Sequence, residues 1–149
     1  MQEPASMQDW LMEMRQARNL EAVLADMPYA RRIGVSAIHD AQGWCFTLAP
    51  HDHNVGNVLL QAVHGGVVAA FMETAATLDA MLAVKTARLP KIIDFSIDYL
   101  RPAKLRATHA RCELLREGSR MANVRVRAWQ EDEANPVATA RMHFVLDSV

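Results

Sequence analysis

The stretch AVHGGVVAAFMETAATLDAMLAV, residues 62–84, decides the fold. From residue 65 to about residue 86 the chain is apolar nearly all round a helix, and such a helix has to be covered on most sides. The stretch is long enough to cross a membrane, but it carries Glu73 and Asp79, and charged groups at that depth are costly in lipid. It therefore predicts the buried central helix of one domain.

Strand-like segments stand on both sides of this helix. Their apolar and polar residues alternate with period two, as expected of an antiparallel sheet with one covered face. Residues 8–27 predict one N-terminal helix that Pro28 ends. The order predicts an α+β fold in which a curved antiparallel sheet wraps around the central helix. The predicted strands are residues 35–39, 44–49, 91–100, 106–116, 120–130 and 136–147, with a turn at 40–43 (DAQG).

The composition is that of an ordinary domain. The chain has 149 residues and a net charge of -1, which gives no bias toward nucleic acid or an anionic membrane surface. The N-terminus MQEPASMQDW lacks the basic and apolar regions of a signal peptide. Cys45 and Cys112 lack a CxxC spacing and are expected to be free thiols, so we expect a cytoplasmic protein.

Glu73 stands out in the central helix because its neighbours are apolar. At helical spacing it shares a face with Gly66, Ala69 and Thr77, and this small, polar stripe is typical of a helix face that borders a cleft. A carboxylate there would be partly desolvated, which suits a general base. The alternative is that Glu73 pairs with a basic residue in the core or at a subunit contact.

His64, Gly65 and Gly66, where a loop ends and the helix begins, suggest where a substrate would bind. Glycine lets the backbone approach a ligand closely, and the first amides of a helix are unpaired donors at its positive end. Such amides can hold a carbonyl oxygen as it becomes an oxyanion. A turn with tight packing explains a glycine pair equally, and a histidine here can simply orient the loop.

His-Gly-Gly followed by an acid nine residues after the histidine resembles the pattern of hotdog-fold acyl-CoA thioesterases of the phenylacetate-degradation (PaaI-like) type. IDFSIDYLRPAK, residues 93–104, is similar to the strand that follows the helix in that family. The resemblance covers roughly residues 33–145. It implies one hotdog domain over residues 1–149, with a helical extension at 1–28 and a core at 33–147.

The resemblance implies a homodimer, often paired into a homotetramer, with active sites at the dimer interface. Glu73 then matches the acid that activates water or attacks the thioester. The Gly65 amide matches the oxyanion donor, beside Gly66, and His64 matches the histidine that orients the loop. Thr77 matches a polar position that helps to place the water or the acid.

One position departs from the pattern. Members of the family commonly carry Asn or Gln six residues before the histidine, where this chain has Val58. Asn57 is the preferred substitute, and Gln61 is the second candidate. Arg101 and Lys104 are candidates for the phosphates of coenzyme A, because basic side chains bind phosphate well; a solvated surface is the alternative.

The leading hypothesis is hydrolysis of an acyl-CoA thioester to a free acid and coenzyme A. An apolar lining that includes Met72 and Leu78 favours medium or long acyl chains, or broad specificity, over a single small aromatic acid. The runner-up is a non-catalytic acyl-CoA-binding or sensing protein, and a hotdog hydratase ranks lowest. His51 and His53 lie in a loop for which solvation is a better interpretation than a zinc site. The sequence predicts neither a metal nor a cofactor.

Overall fold

The structure, a computed structural model, describes residues 6–84 and 88–148. Four helices and eight strands succeed one another, with a short 3-10 turn at Asp52–Asn54 before β3. The helices are α1 (Met7–Ala17), α2 (Leu20–Asp26), α3 (Pro28–Ile33) and α4 (Gly65–Ala83). The strands are β1 (Val35–Asp40), β2 (Gly43–Leu48), β3 (Val55–Asn57), β4 (Ala62–Val63), β5 (Arg88–Tyr99), β6 (Thr108–Glu117), β7 (Met121–Trp129) and β8 (Ala138–Ser148).

The N-terminal region differs from the prediction of one helix over residues 8–27, which is wrong. Arg18 adopts a left-handed conformation with φ 46°, which ends α1. Asn19 then caps α2 by accepting a hydrogen bond from the Glu21 amide at 3.1 Å. Asn competes well for free backbone donors, so it favours a new helix start over a continuous helix. Pro28, expected only to end a helix, also begins α3.

Six strands form one antiparallel sheet in the order β1-β2-β6-β7-β8-β5. The predicted strands are confirmed to within about two residues at most ends. The turn between β1 and β2 lies at the predicted place, and Gly43 there has φ 104°, which glycine adopts without strain. Because β5 pairs only with β8 among the described residues, its other edge is free within residues 6–84 and 88–148.

Helix α4 packs against one face of this sheet and forms the core with it. Phe71, Met72 and Ala75 of the helix are fully buried, and they face a sheet whose inward side chains are also fully buried. The inward side chains include Val124, Val126, Met142 and Phe144. In the described part of the chain α4 alone is long and apolar enough to cross a membrane, and here it is the core helix. The α+β prediction is confirmed.

The opposite face of α4 is left uncovered. Gly66 and Glu73 are exposed, and Ala69 and Thr77 are half-buried. The prediction that the helix is covered on most sides therefore holds only for the sides that meet the sheet and the N-terminal helices. The uncovered face and the free edge of β5 set the position of the candidate site.

Candidate active site

The site begins at the N-terminus of α4, where His64 is the capping residue. Its Nδ1 atom accepts a hydrogen bond from the Gly66 amide at 2.9 Å. Since Nδ1 is an acceptor, a neutral His64 carries its proton on Nε2. The His64 carbonyl accepts from the Val67 and Val68 amides at 2.9 and 3.1 Å. These hydrogen bonds tie His64 to the first turn of α4, and its role in orienting the loop stays a prediction.

Two residues that sequence reasoning missed hold His64 in place. The His64 amide donates to the Asn54 carbonyl at 2.8 Å, and the buried Asn54 side chain donates to the Ile33 carbonyl at 2.8 Å. A Cβ atom on Gly56 would lie 2.6 Å from the Cα of His64, so only glycine fits there. Asparagine and glycine are common in loops, so the sequence carried no specific signal for Asn54 and Gly56.

Gly65 presents the free amide of the site. Its N–H makes no hydrogen bond within residues 6–84 and 88–148, whereas its carbonyl accepts from the Tyr99 hydroxyl at 2.7 Å. An open cavity of about 400 Å³ lies beside it, and Val68, Tyr99 and Leu100 contribute to its walls. An unpaired amide at a helix N-terminus, facing a cavity, can bind a developing negative charge.

Glu73 lies on the same helix but on its uncovered face. Its side chain is exposed and forms neither a hydrogen bond nor an ion pair with any described residue. The expected desolvation is therefore not met within one chain, and the alternative of an ion pair in the core is excluded for the described residues. Thr77, one turn further, is half-buried beside it, and its hydroxyl also has no partner in the described chain.

The two candidates for the missing polar residue shape the loop between β3 and β4. The Asn57 Oδ1 atom accepts from the Leu60 amide at 3.0 Å, and the Gln61 side chain donates to the Val58 carbonyl at 2.8 Å. Gln61 itself has φ 48°. Val58, the departure from the family pattern, is 76% exposed at the tip of this loop. The Asn57 Nδ2 atom keeps its donors free of any described partner.

The basic candidates lie around a second concavity of about 310 Å³, next to the first. Arg101 lines both concavities and donates to the Pro136 carbonyl at 2.6 Å. Lys104 donates from Nζ to the Leu60 carbonyl at 3.3 Å. Arg106 forms an ion pair with Glu131, both largely exposed. Three basic side chains thus line the second concavity, and one of them, Arg101, also lines the Gly65 cavity.

Another acid of α4, Asp79, which sequence reasoning did not single out, is half-buried and has the desolvated setting that was expected for Glu73. Burial between helix and sheet raises the pKa of Asp79 to about 6, and no described side chain neutralises it. Burial, and then the nearby Asp79 carboxylate, raise the pKa of the Cys112 thiol. Asp79 lies fourteen residues after Gly65, roughly 21 Å along the helix, so it is remote from the oxyanion amide.

Several other predictions concern groups outside the site. Met72 and Leu78, expected to line an acyl pocket, are 0% and 1% exposed and belong to the core, so that prediction is wrong for the single chain.

The two loop histidines have partners within the chain. The Nε2 atom of His53 forms a hydrogen bond with the Arg32 carbonyl at 2.7 Å, and the ring of His51 stacks on that of His53. No three His, Cys, Asp or Glu side chains gather as metal ligands among the described residues. Cys45 and Cys112 are free thiols, as expected.

A separate concavity of about 370 Å³ lies on the sheet face turned away from α4. It contains Arg111, whose guanidinium pairs with Asp40 at 2.5 Å and holds the pKa of that carboxyl below its usual value. Arg127, directly opposite Arg111 on the next strand, pairs with Glu133 at 2.9 Å. The charges here are largely satisfied within the chain, and the concavity is far from the amide of Gly65.

Comparison with known proteins agrees with this geometry. Residues 60–137, just over half of the chain, match the thioesterase superfamily. The chain is 34% identical, over an alignment of 92 residues, to the medium/long-chain acyl-CoA thioesterase YigI of Salmonella typhimurium; the match covers 53% of this chain and 59% of that protein. The chain therefore spans less than two thirds of the length of this curated relative.

Solved structures share the whole fold. A protein from Chromobacterium violaceum is 36% identical, with a TM-score of 0.76 over 94% of this chain and 98% of its own. The E. coli PaaI protein from the phenylacetic acid degradation operon is 16% identical, with a TM-score of 0.74 over 91% and 96% of the two chains. At that identity the likeness shows the fold alone. The predicted hotdog fold, with its central helix and six-stranded sheet, is confirmed.

Proposed function

Because this chain belongs to the thioesterase superfamily, we propose that it hydrolyses acyl-CoA thioesters to a free carboxylic acid and coenzyme A. The observation that carries the proposal is the unpaired Gly65 amide, which lies at the N-terminus of α4 beside an open cavity. The thioester oxygen would bind there and gain stabilisation as negative charge develops on it. The spacing of His-Gly-Gly and Glu73 further supports a PaaI-like thioesterase.

The second catalytic group has to come from another copy of the chain. Gly65 and Glu73 are eight residues apart on one straight helix, which separates them by about 12 Å along its axis. A thioester carbonyl held at hydrogen-bond distance from Gly65 is thus beyond the reach of Glu73 in the same chain. The complete site is therefore a homodimer site, in which Glu73 of one copy faces Gly65 of the other.

Two features of the chain support this dimer. The free edge of β5 can pair with a second β5 and extend the sheet, and Ile93 on that strand is 56% exposed. The uncovered face of α4 carries Glu73 and would be covered by the same association. Burial in the dimer would supply the desolvation of Glu73 that the single chain lacks. Pairing of two such dimers gives the tetramer that the resemblance implies.

Glu73 can act in two ways, as a general base or as a nucleophile. As a general base it takes a proton from water while the water oxygen bonds to the thioester carbon, and the carbon–sulfur bond then breaks to release coenzyme A. As a nucleophile its carboxylate oxygen bonds to that carbon and the thiolate leaves, which gives a mixed anhydride; water then attacks the glutamyl carbonyl carbon, and the acyl group leaves as its carboxylate. Single turnover in ¹⁸O-labelled water distinguishes them, because only the second route places ¹⁸O in Glu73.

The remaining candidates bind and orient the substrate. Arg101 and Lys104, at the second concavity, would bind phosphates of coenzyme A. The free Nδ2 donors of Asn57 would bind the thioester side of the substrate, with Gln61 maintaining the loop. YigI is named for medium and long acyl chains, and we propose the same class here. The two free thiols fit a reducing, cytoplasmic location.

The test is thiol release from a series of acyl-CoA thioesters of increasing chain length. Wild-type protein is expected to release thiol, and Glu73→Gln to lower kcat by about 10²–10⁴-fold, as loss of a general base does. Glu13→Gln, at an exposed glutamate of α1, is the matched control and should leave kcat unchanged. Full turnover by Glu73→Gln would refute the assignment of Glu73.

The alternative function is acyl-CoA binding or sensing without catalysis. The exposed Val58, at a position where the family carries Asn or Gln, favours it. Tight binding of an acyl-CoA by the wild-type protein with no thiol release at any chain length would establish this alternative.

A further inference from the structure

Tyr99, the last residue of β5, contacts the candidate active site directly. Its hydroxyl donates to the Gly65 carbonyl at 2.7 Å. Its ring also lies against Gly65, since a Cβ atom there would be 3.3 Å from both the Cζ and the hydroxyl oxygen of Tyr99. Tyr99 is therefore fixed against the residue that carries the free amide and lines the cavity.

The Tyr99 bond completes a two-sided clamp on one peptide group. The peptide group that joins Gly65 to Gly66 accepts from Tyr99 through its oxygen and donates to His64 Nδ1 through its N–H at 2.9 Å. Hydrogen bonds at the two ends of one peptide group polarise and strengthen each other. The clamp occupies the Gly66 amide, so Gly65 presents the amide that remains free for a substrate.

A clamp matters here because the clamped residues are glycines. Glycine has more backbone freedom than any other residue, and two in succession at a helix start would let the first turn vary in conformation. An oxyanion donor works only when it is held close to the place where the oxyanion forms. A displacement of about 1 Å costs a large part of the rate.

We propose that Tyr99 is a positioning residue for thioester hydrolysis: by clamping the Gly65–Gly66 peptide it sets the direction of the Gly65 amide. The inference rests on the proposed function, because the amide matters for catalysis only if a thioester oxygen binds to it. Tyr99 also connects the edge strand β5 to the N-terminus of α4. Pairing of β5 with a second copy would therefore fix the oxyanion amide at the same time as it brings in Glu73.

Tyr99→Phe tests the proposal, because it keeps the ring against Gly65 and removes only the hydroxyl. Loss of one neutral hydrogen bond is expected to lower kcat about three- to tenfold, with KM within about twofold of wild type. Tyr29→Phe is the matched control: it alters the only other tyrosine, which is 54% exposed like Tyr99 and bonded to no described residue. The control should change neither constant.

A second measurement follows the clamp without enzyme turnover. In Tyr99→Phe, hydrogen exchange of the Gly66 amide, measured by NMR, is expected to accelerate by about three- to tenfold, because its peptide group loses the hydrogen bond from Tyr99. Exchange in Tyr29→Phe should match wild type. Unchanged Gly66 exchange in Tyr99→Phe would show that the clamp does not exist in solution.

The outcomes separate this inference from the proposed function. Active wild-type protein with an unchanged kcat in Tyr99→Phe overturns the role of Tyr99 and leaves the thioesterase proposal intact. Wild-type protein that releases no thiol overturns the proposed function, and the catalytic role of Tyr99 with it. A lower kcat, an unchanged KM and faster Gly66 exchange together support the inference.

Discussion

Two acids on α4, Glu73 and Asp79, occupy opposite settings on one helix. They are six residues apart, which turns them by roughly 240° around the axis. Glu73 is exposed on the uncovered face, whereas Asp79 is half-buried toward the sheet, where burial raises its pKa to about 6. Neither has a charged partner among the described residues. The acid that looked buried from the sequence is exposed in the single chain, and the other is half-buried.

The comparison shows what each face of α4 is for. The sheet side of α4 is packed against residues of the same chain, so a charge there only lowers the stability of the fold. The opposite side has no covering residues in the described part of the same chain, so its carboxylate can take part in catalysis once a second copy covers it. Glu73 should therefore affect activity and little else, and Asp79 should affect stability and little else.

The largest expected effect tests whether one active site takes Gly65 from one copy of the chain and Glu73 from another. Glu73→Gln and Gly65→Val, whose side chain would enter the cavity, should each be nearly inactive alone. Co-expression should yield mixed dimers with one intact site, assembled from the unaltered Gly65 of one copy and the unaltered Glu73 of the other. Activity is then expected to recover to about a quarter of wild type, since half of the dimers are mixed and each has one working site.

The control for this recovery is co-expression of wild-type protein with itself at the same total amount. His64→Ala replaces Gly65→Val if circular dichroism shows that the latter does not fold. Co-expressed variants that stay as inactive as each variant alone would mean that both groups act within one chain.

The sheet side is tested by Asp79→Asn. The folded-state pKa of about 6 lies above the usual aspartate value of 3.8, so the fold favours the protonated acid and loses stability as pH rises through that range. Removing the charge should stabilise the protein by at most about 3 kcal/mol at pH 8 and by almost nothing near pH 4. Urea unfolding at several pH values measures this difference.

The same Asp79→Asn protein also tests the contrast with Glu73. Its kcat should equal that of wild type, because Asp79 is remote from the Gly65 amide. A stability gain that does not depend on pH, or a loss of activity comparable to that of Glu73→Gln, would contradict the contrast between the two faces.

The smallest expected effect concerns two threonines that flank the uncovered face. Thr77 has a hydroxyl without a partner in the described chain, whereas the Thr74 hydroxyl already donates to the Ala70 carbonyl at 2.8 Å. Thr77→Val should lower kcat about three- to tenfold, as expected for one hydrogen bond to the water or to Glu73. Thr74→Val is the matched control, with kcat unchanged. Equal effects of the two substitutions on kcat would remove Thr77 from the site.

The amino-acid sequence by itself determined the central helix, the positions along the chain of the six strands of the main sheet, and the start of the site at His64. Each depends on local chemistry: the apolar run of α4, the period-two alternation of the strands and the glycines that follow the histidine. Each of these signals consists of residues that are neighbours along the chain. Each can therefore be recognised without knowing how distant parts of the chain fold together.

Only the tertiary structure decided which acid is buried, which amide stays free and what holds it. The sheet that buries Asp79 is built from strands far along the chain, and Tyr99 reaches Gly65 across thirty-four residues. Likewise, the break at Arg18 and the turn made by Asn57 and Gln61 depend on which backbone groups find partners. Burial and hydrogen-bond partners are properties of neighbours in space, and a helical or alternating pattern specifies only neighbours along the chain.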